Sequence, residues 1–211
     1  MIYEFRTYAL RPGTLPRFLE LFGEALPGRE RLSKLAAFWC TDVGHRNEVI
    51  HVWPYENALE RSRIRAQAVK DGIWPPPTGE LILTMKAEIF DAISPTVSFE
   101  RTGGESIVEM STYLLKPFTV GKINQRWSQT QLSPDRSGSL VGAFASDVGV
   151  LNQWMRIWVY ESQRDRALTK ADTGLSAFEQ WADAELVLQE ETRLLMPARF
   201  PGIRRDPIGH S

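Results

Sequence analysis

FWCTDVGHRNEVIHVWPYE, residues 38–56, and DVGVLNQWMRIWVYE, residues 147–161, carry one pattern twice. Each contains Asp-Val-Gly, then Asn three residues after the glycine, then Trp-x-Tyr-Glu. The offset is constant, since 147 − 42, 158 − 53 and 161 − 56 all equal 105. A spacing kept so strictly marks one structural unit used twice. Within the first copy the residues alternate. Ile50 and Val52 share one face, and Val49, His51, Trp53 and Tyr55 the other, which is the period-two signature of a strand. Gly44 and Asn47 suit the positive backbone angles of a turn. Residues 35–41 and 48–55 therefore read as a hairpin.

Upstream, Tyr3, Phe5 and Thr7 alternate with Glu4, Arg6 and Tyr8 in a first strand. Pro12-Gly13 turns the chain, and Thr14 stands where a helix N-cap belongs. Leu15, Phe18, Leu19, Phe22 and Leu26 then recur at helical spacing until Pro27-Gly28 closes the helix. Downstream, Asn57 caps a second helix running to about Val69, broken by the proline-rich stretch from Trp74 to Gly79. Lys86–Ile93 reads as a fourth strand, and the polar, glycine-containing Ser94–Ser106 as a linker. At the same offset of 105, Ile107, Glu109, Thr112, Tyr113, Leu115, Pro117 and Thr119 match Ile2, Glu4, Thr7, Tyr8, Leu10, Pro12 and Thr14. Val120, Ile123 and Trp127 supply a helical stripe, and residues 140–146 and 153–160 a second hairpin. Ser162 caps a helix bearing Arg164, Arg166 and Leu168, and Glu191–Met196 closes as a strand. The expected organisation is a first unit over 1–95, a linker over 96–106, a second unit over 107–198 and an extended tail over 199–211.

Each half is thus β-α-β-β-α-β, an α+β arrangement of four antiparallel strands with both helices on one face. The opposite face carries aromatics and needs cover. A second copy joined by a linker provides it. The expectation is two ferredoxin-like units whose sheets meet face to face, forming a barrel with pseudo-two-fold symmetry inside one chain.

The bulk properties narrow the function. The 211 residues are 43 % hydrophobic, enough for a modest core in each half. Twenty-five basic against 26 acidic residues argue against nucleic acid or an anionic membrane as partner. Cys40 is the only cysteine, so no intrachain disulfide forms. The N-terminus lacks the basic start and apolar run of a secretory signal, and no stretch reaches about 18 apolar residues. A cytoplasmic protein is expected, present as a monomeric pseudo-dimer or a homo-oligomer of it.

The pattern Tyr3-Glu4-x-Arg6-x-Tyr8-x-Leu10-x-Pro12-Gly13, then Val43, Gly44 and Asn47, then His51, Trp53 and Tyr55 and a helix with Arg61 and Arg65, resembles the NIPSNAP family. The resemblance spans nearly the whole chain. It implies the dimeric α+β barrel superfamily and no settled reaction; animal members are linked to vesicle traffic and mitochondrial quality control. Superfamily relatives include cofactor-independent monooxygenases and haem-handling enzymes, kinship that says nothing of this site by itself. The second half departs from the pattern at Ser111, Phe118 and Arg156, which replace Arg6, Gly13 and His51. A symmetric pair of sites is therefore not expected.

Strand alternation groups Glu4, Arg6, Tyr8, His51, Trp53 and Tyr55 on one face, expected to line the barrel interior with Glu109, Tyr113, Trp154, Arg156, Trp158 and Tyr160. An aromatic cavity with converging polar groups suits a small molecule. His51 would serve as general base, Arg6 or Arg156 as oxyanion partner, and the tryptophans as stacking walls. The competing reading makes Glu4–Arg6 and Glu109–Arg156 satisfied ion pairs among aromatics that merely fill the barrel. No metal or cofactor is expected: His45 and His210 lie in a turn and the tail, and no ligand spacing is present. Cys40 and His51 would form a dyad only if the hairpin register set them opposite; otherwise Cys40 is a buried structural residue. Arg61 and Arg65, one turn apart, either grip a phosphate or carboxylate or pair with surface acids. Two functions remain open, a small-molecule binder or cofactor-free oxygenase acting on an aromatic or polyketide-like substrate, and a non-catalytic protein-interaction module.

Overall fold

The computed structural model describes residues 1–94, 97–129, 138–173 and 184–201. The first half contains β1 (Ile2–Leu10), α1 (Leu15–Glu30), β2 (Ala37–Val43), β3 (Glu48–Tyr55), α2 (Ala58–Lys70) and β4 (Ile82–Ala92). The second contains β5 (Ile107–Leu115), α3 (Val120–Gln129), β6 (Gly138–Val148), β7 (Gln153–Tyr160), α4 (Gln163–Thr173) and β8 (Val187–Pro197). Both halves thus follow the β-α-β-β-α-β order read from the repeat.

The eight strands close into one antiparallel barrel in the order β1-β3-β2-β8-β5-β7-β6-β4. The halves do not stack as two separate sheets. They join edge to edge at two seams, β2 with β8 and β4 with β6, and each seam spends a strand edge that would otherwise present unpaired backbone. The turns repeat with the sequence. Gly44 and Asn47 have φ of 127° and 60°, and Gly149 and Asn152 have 130° and 58°. Gly13 has φ 80°, and Phe118, its counterpart, takes 67°, a conformation that β-carbon sterics disfavour, with its ring 98 % exposed.

Local signals succeed at some helix ends and fail at others. Asn57 accepts the Glu60 amide at 2.9 Å and Ser162 accepts that of Asp165 at 3.1 Å, as N-caps do. Thr14 does not cap α1; its hydroxyl donates to the Arg11 carbonyl at 2.7 Å. Nor does Pro27 end α1, which continues to Glu30. Pro27 forfeits its own N–H bond and crowds the carbonyl four residues back, but it lies near the end of α1, where Arg29 anchors the last turn by donating to the Tyr55 hydroxyl at 2.9 Å.

One apolar cluster draws on all eight strands and no helix, so it fills the barrel. Its members include Tyr3, Phe5, Trp39, Ile50, Val52, Phe90, Val108, Met110, Phe144, Met155 and Leu195. Phe144 meets Tyr3 and Phe5 edge-on at 5.3 and 5.4 Å, tying the halves together. The linker takes part in this packing. Val97 and Phe99 pack against the cluster, Phe99 at 6.0 Å from Tyr3 and 6.1 Å from Trp39.

The face assignment inverts the expectation. Tyr8, Trp53 and Tyr55 pack outward against Phe18, Phe22 and Leu26 of α1 and Ile64 of α2, and Tyr113 and Trp154 against Ile123 and Trp127 of α3. Glu4, Arg6 and His51 share that outward side in the first half, and Glu109, Arg156, Trp158 and Tyr160 alternate with the inward Val108, Met110, Ile157 and Val159 in the second. The physical reason is charge. Inside the barrel Glu4 and Arg6 would find neither water nor partners, whereas between sheet and helix the arginines of α2 reach them. Of the tail, Phe200 stacks on Phe22 at 5.7 Å, and residues 202–211, His210 among them, lie outside the described residues.

Candidate functional site

The site is built where β1 and β3 pass beneath α2. Register places Glu4 opposite Trp53 and Arg6 opposite His51, with all four side chains on the helix side. On α2, Ile64 and Ala68 face the sheet, and Arg61 and Arg65 flank them one turn apart. The Glu4 carboxylate is fully buried, and one of its oxygens, Oε1, takes three guanidiniums: Arg61 at 2.6 Å, Arg6 at 3.3 Å and Arg65 at 3.5 Å. Exposure of those arginines rises from 13 % at Arg6 through 23 % at Arg61 to 39 % at Arg65, so the cluster grades from core to solvent. The second oxygen of Glu4 is buried without a partner. These arginines pair with a buried acid and not with surface acids.

A fourth guanidinium comes from α1. Arg29 is buried, lies 4.3 Å over the Trp53 ring and donates to Tyr55. Burial lowers its pKa, and Tyr55 works against that shift. Arg29 continues the stripe Phe22–Leu26 by three residues, the signal that could have placed it beforehand.

His51 sits at the floor of this layer, fully buried. It stacks on Phe38 at 5.5 Å and meets Phe22 and Tyr8 edge-on at 5.2 and 4.9 Å. Trp53 donates its indole N–H to His51 Nδ1 at 2.7 Å. The neutral ring therefore carries its proton on Nε2, which is buried without a partner. Burial first, then the charges of Arg6, Arg29 and Arg65, hold its pKa well below 6.5. With its lone pair taken by Trp53, His51 offers no base to a substrate. The register also removes the Cys40–His51 dyad, because His51 faces Phe38 and Cys40 faces Val49. Burial pushes the Cys40 thiol up to about 11, so it stays protonated at neutral pH.

This histidine sets a pH dependence. The folded imidazole stays neutral while the unfolded one takes a proton near 6.5, so below that pH the unfolded chain binds more protons. Stability then falls as pH falls, by up to about 1.4 kcal/mol per pH unit from this group. Urea unfolding of wild type and His51→Phe at pH 7.5, 6.5 and 5.5 reads it. The wild-type curve is expected to drop more steeply, and parallel curves would refute the assignment.

Beside the cluster a cleft of about 680 Å³ opens between α2, β1, β4 and the loop after α2. Arg6, Tyr8, Arg65, Lys70, Trp74 and Met85 line it, with Ala66, Val69 and Pro75 completing the wall. Of the expected site residues, Arg6 and Tyr8 reach this cleft. Glu4, His51, Trp53 and Tyr55 support it from beneath. Lys70, Trp74 and Met85 escaped the sequence reading, because only the fold of the loop and the length of β4 bring them to α2.

The second half repeats part of this plan. Arg166 donates to Glu109 at 2.5 Å, as Arg61 does to Glu4 at the same offset. Arg156 lies 5.6 Å from the Tyr113 ring, and Arg6 lies 5.4 Å from that of Tyr8. The guanidinium has moved across a strand pair, since Ser111 opposite Arg156 replaces Arg6 opposite His51. Tyr160, raised to about 12 chiefly by burial, stands where Tyr55 does, and Trp158 is half-buried. Among the described residues no group of His, Cys, Asp and Glu is arranged to hold a metal ion, and no helix is long and apolar enough to cross a membrane.

A closed barrel of two βαββαβ units with helices outside defines the dimeric α+β barrel class. An anthrone oxidase-like protein shares this fold at TM-score 0.66 and 7 % identity, over 94 % of this chain and 91 % of that one. The chain belongs to the NIPSNAP family, whose profile matches residues 3–95 and again 108–201. It is 30 % identical over 174 residues to human NipSnap homolog 3A, spanning 79 % of this chain and 70 % of that protein. Human NipSnap homolog 3B is 27 % identical over 96 % of this chain and 85 % of its own length.

Proposed function

We propose that this NIPSNAP protein binds a small molecule, held between α2 and the first sheet and not inside the barrel. The cleft carries the proposal: its volume of about 680 Å³ falls within the usual range of ligand pockets, and aromatic and cationic groups share its lining. The barrel interior, by contrast, is filled with side chains. An oxygenase working there would lack the base, since His51 is turned to the helices and bonded to Trp53. Binding without turnover is the function that matches this geometry. The second half then acts as the structural complement that closes the barrel, and one chain suffices to build it.

A fragment screen followed by backbone amide shifts tests the proposal. Hits are expected to move resonances around Tyr8, Val69 and Trp74, and to lose binding in Val69→Trp, whose exposed position tolerates a bulky group. A screen whose hits leave those resonances in place would overturn it. A second reading, a protein-interaction module, draws on one observation. Phe118, Val150 and Leu151 are exposed on adjacent turns, joined where the Phe118 amide donates to Asn152 Oδ1 at 3.3 Å.

A further inference from the structure

We infer that the cleft takes an organic oxyanion, a carboxylate or phosphate monoester carried on a flat apolar body, an inference that rests on the binding role proposed above. Charge balance carries the anionic half. Arg6, Arg61 and Arg65 gather about the single carboxylate of Glu4, Arg29 lies in the same layer over Trp53, and Lys70 adds a further cation at the cleft. Four guanidiniums less one carboxylate leave a surplus of three positive charges. The charges that act on the buried His51, those of Arg6, Arg29 and Arg65, are all positive. Tyr8 feels Arg6 and Arg65, and Tyr55 feels Arg29, Arg65 and Arg61, with Glu4 as the opposing acid at both. Packing like charges in a partly dry layer raises the energy of the empty site, and an anion placed among them lowers it.

Donors are also in hand. Arg6 lines the cleft, yet its Nε–H is buried without a partner, and Glu4 occupies only part of its fork. Arg65, the most exposed of Glu4's three arginine partners, makes the longest contact at 3.5 Å and can turn to a second acceptor with little loss. Guanidiniums suit planar carboxylate and phosphate oxygens because their paired N–H groups match that geometry.

The apolar half follows from the remaining walls. Tyr8 and Trp74 present rings, and Val69, Pro75 and Met85 present hydrocarbon and thioether. Trp74 is held edge-on by Phe22 at 5.0 Å and Trp53 at 5.9 Å, so its plane is fixed before a ligand arrives. Fixed rings favour a flat partner by offset stacking. An inorganic anion would leave most of the volume unfilled. In the second half Ser111 stands at the position of Arg6 and Arg156 at that of His51, so the arrangement is not duplicated and one site per chain is expected.

Calorimetric titration of the full chain with 2-naphthyl phosphate, 2-naphthoate, 2-naphthol and inorganic phosphate tests the inference. Both naphthyl anions are expected to bind one per chain, about tenfold or more tighter than the neutral naphthol or phosphate alone, and to weaken as salt is added. Arg65→Gln and Lys70→Gln, both solvent-facing and checked for unchanged melting, are expected to weaken the anions about five- to tenfold and to leave naphthol unaffected. The order of phosphate and carboxylate identifies the head group. Naphthol binding as tightly as the anions overturns the charge argument while the cleft stands as a binding site. Inorganic phosphate binding as tightly overturns the apolar body. If no naphthalene compound moves the cleft resonances, the binding role falls with it.

Discussion

Glu4→Gln is expected to lower the unfolding free energy by about 3–5 kcal/mol, the range for removing one partner of a buried ion pair. The amide keeps the shape of the carboxylate and one acceptor oxygen, so the loss reports charge and not volume. Without Glu4, the buried Arg29 and the mostly buried Arg6 lose their neighbouring counter-charge, and Arg6 keeps only its narrow exposure to the cleft, whereas Arg61 and Arg65 can swing outward. The first two therefore set the cost. Arg6 also loses the charged acceptor that holds it over Tyr8, and a neutral amide oxygen holds it less firmly, so the cleft loosens with the fold. Urea unfolding of wild type, Glu4→Gln and the double variant Glu4→Gln/Arg6→Met measures it. Removing one cation with the anion is expected to return part of the loss, since fewer like charges then remain. A loss below 1 kcal/mol from the single variant would show that the cluster is solvated, and would remove the premise of a charge surplus.

Why that cluster escaped the sequence is instructive. Period-two alternation sorted β1 and β3 correctly into two faces, and every residue grouped there shares a face in the structure. Alternation carries no label for inside and outside, however, and both faces of these strands hold aromatics. Tyr3 and Phe5 entered the barrel; Tyr8, Trp53 and Tyr55 went to the helices. The deciding information lay on other elements. The α1 stripe of Phe18, Phe22 and Leu26 runs on into Arg29, and α2 offers Arg61 and Arg65 on the flanks of its buried face. A strand face bearing Glu4 must meet those arginines, because a buried carboxylate without counter-charge is not tolerated. The order of elements in the repeat was legible, with the Gly44/Asn47 and Gly149/Asn152 turns and the Asn57 and Ser162 caps, because those positions depend on local backbone angles; Thr14 and Pro27 misled at the two ends of α1. The cleft was not, since Trp74, Met85 and Lys70 come together only through tertiary packing. The linker misled for a related reason. Its polar composition hid Val97 and Phe99, whose burial depends on the barrel they help to fill.

Trp39→Ala separates the two possible face assignments directly, and is expected to cost about 3–5 kcal/mol, the range for deleting a large aromatic from a core. Trp39 is fully buried, belongs to the barrel cluster, touches Phe99 of the linker and lies at the seam opposite Pro197 of β8. A cavity there cannot collapse easily, because the eight-stranded wall is closed and the neighbours come from both halves. Trp158 is the informative contrast. Had the aromatic face of β7 pointed inward, Trp158 would be a core residue of the same weight. On the helix side and half-buried, its truncation to Ala is expected to cost under about 2 kcal/mol, since the transfer and cavity terms both shrink with exposure. Because the seams make one barrel of the two halves, Trp39→Ala is also expected to shift a single unfolding transition. Two resolved transitions would mean that the halves unfold independently. Equal losses from Trp39 and Trp158 would return the aromatic face of the second half to the barrel interior, where the ligand site would have to be sought again.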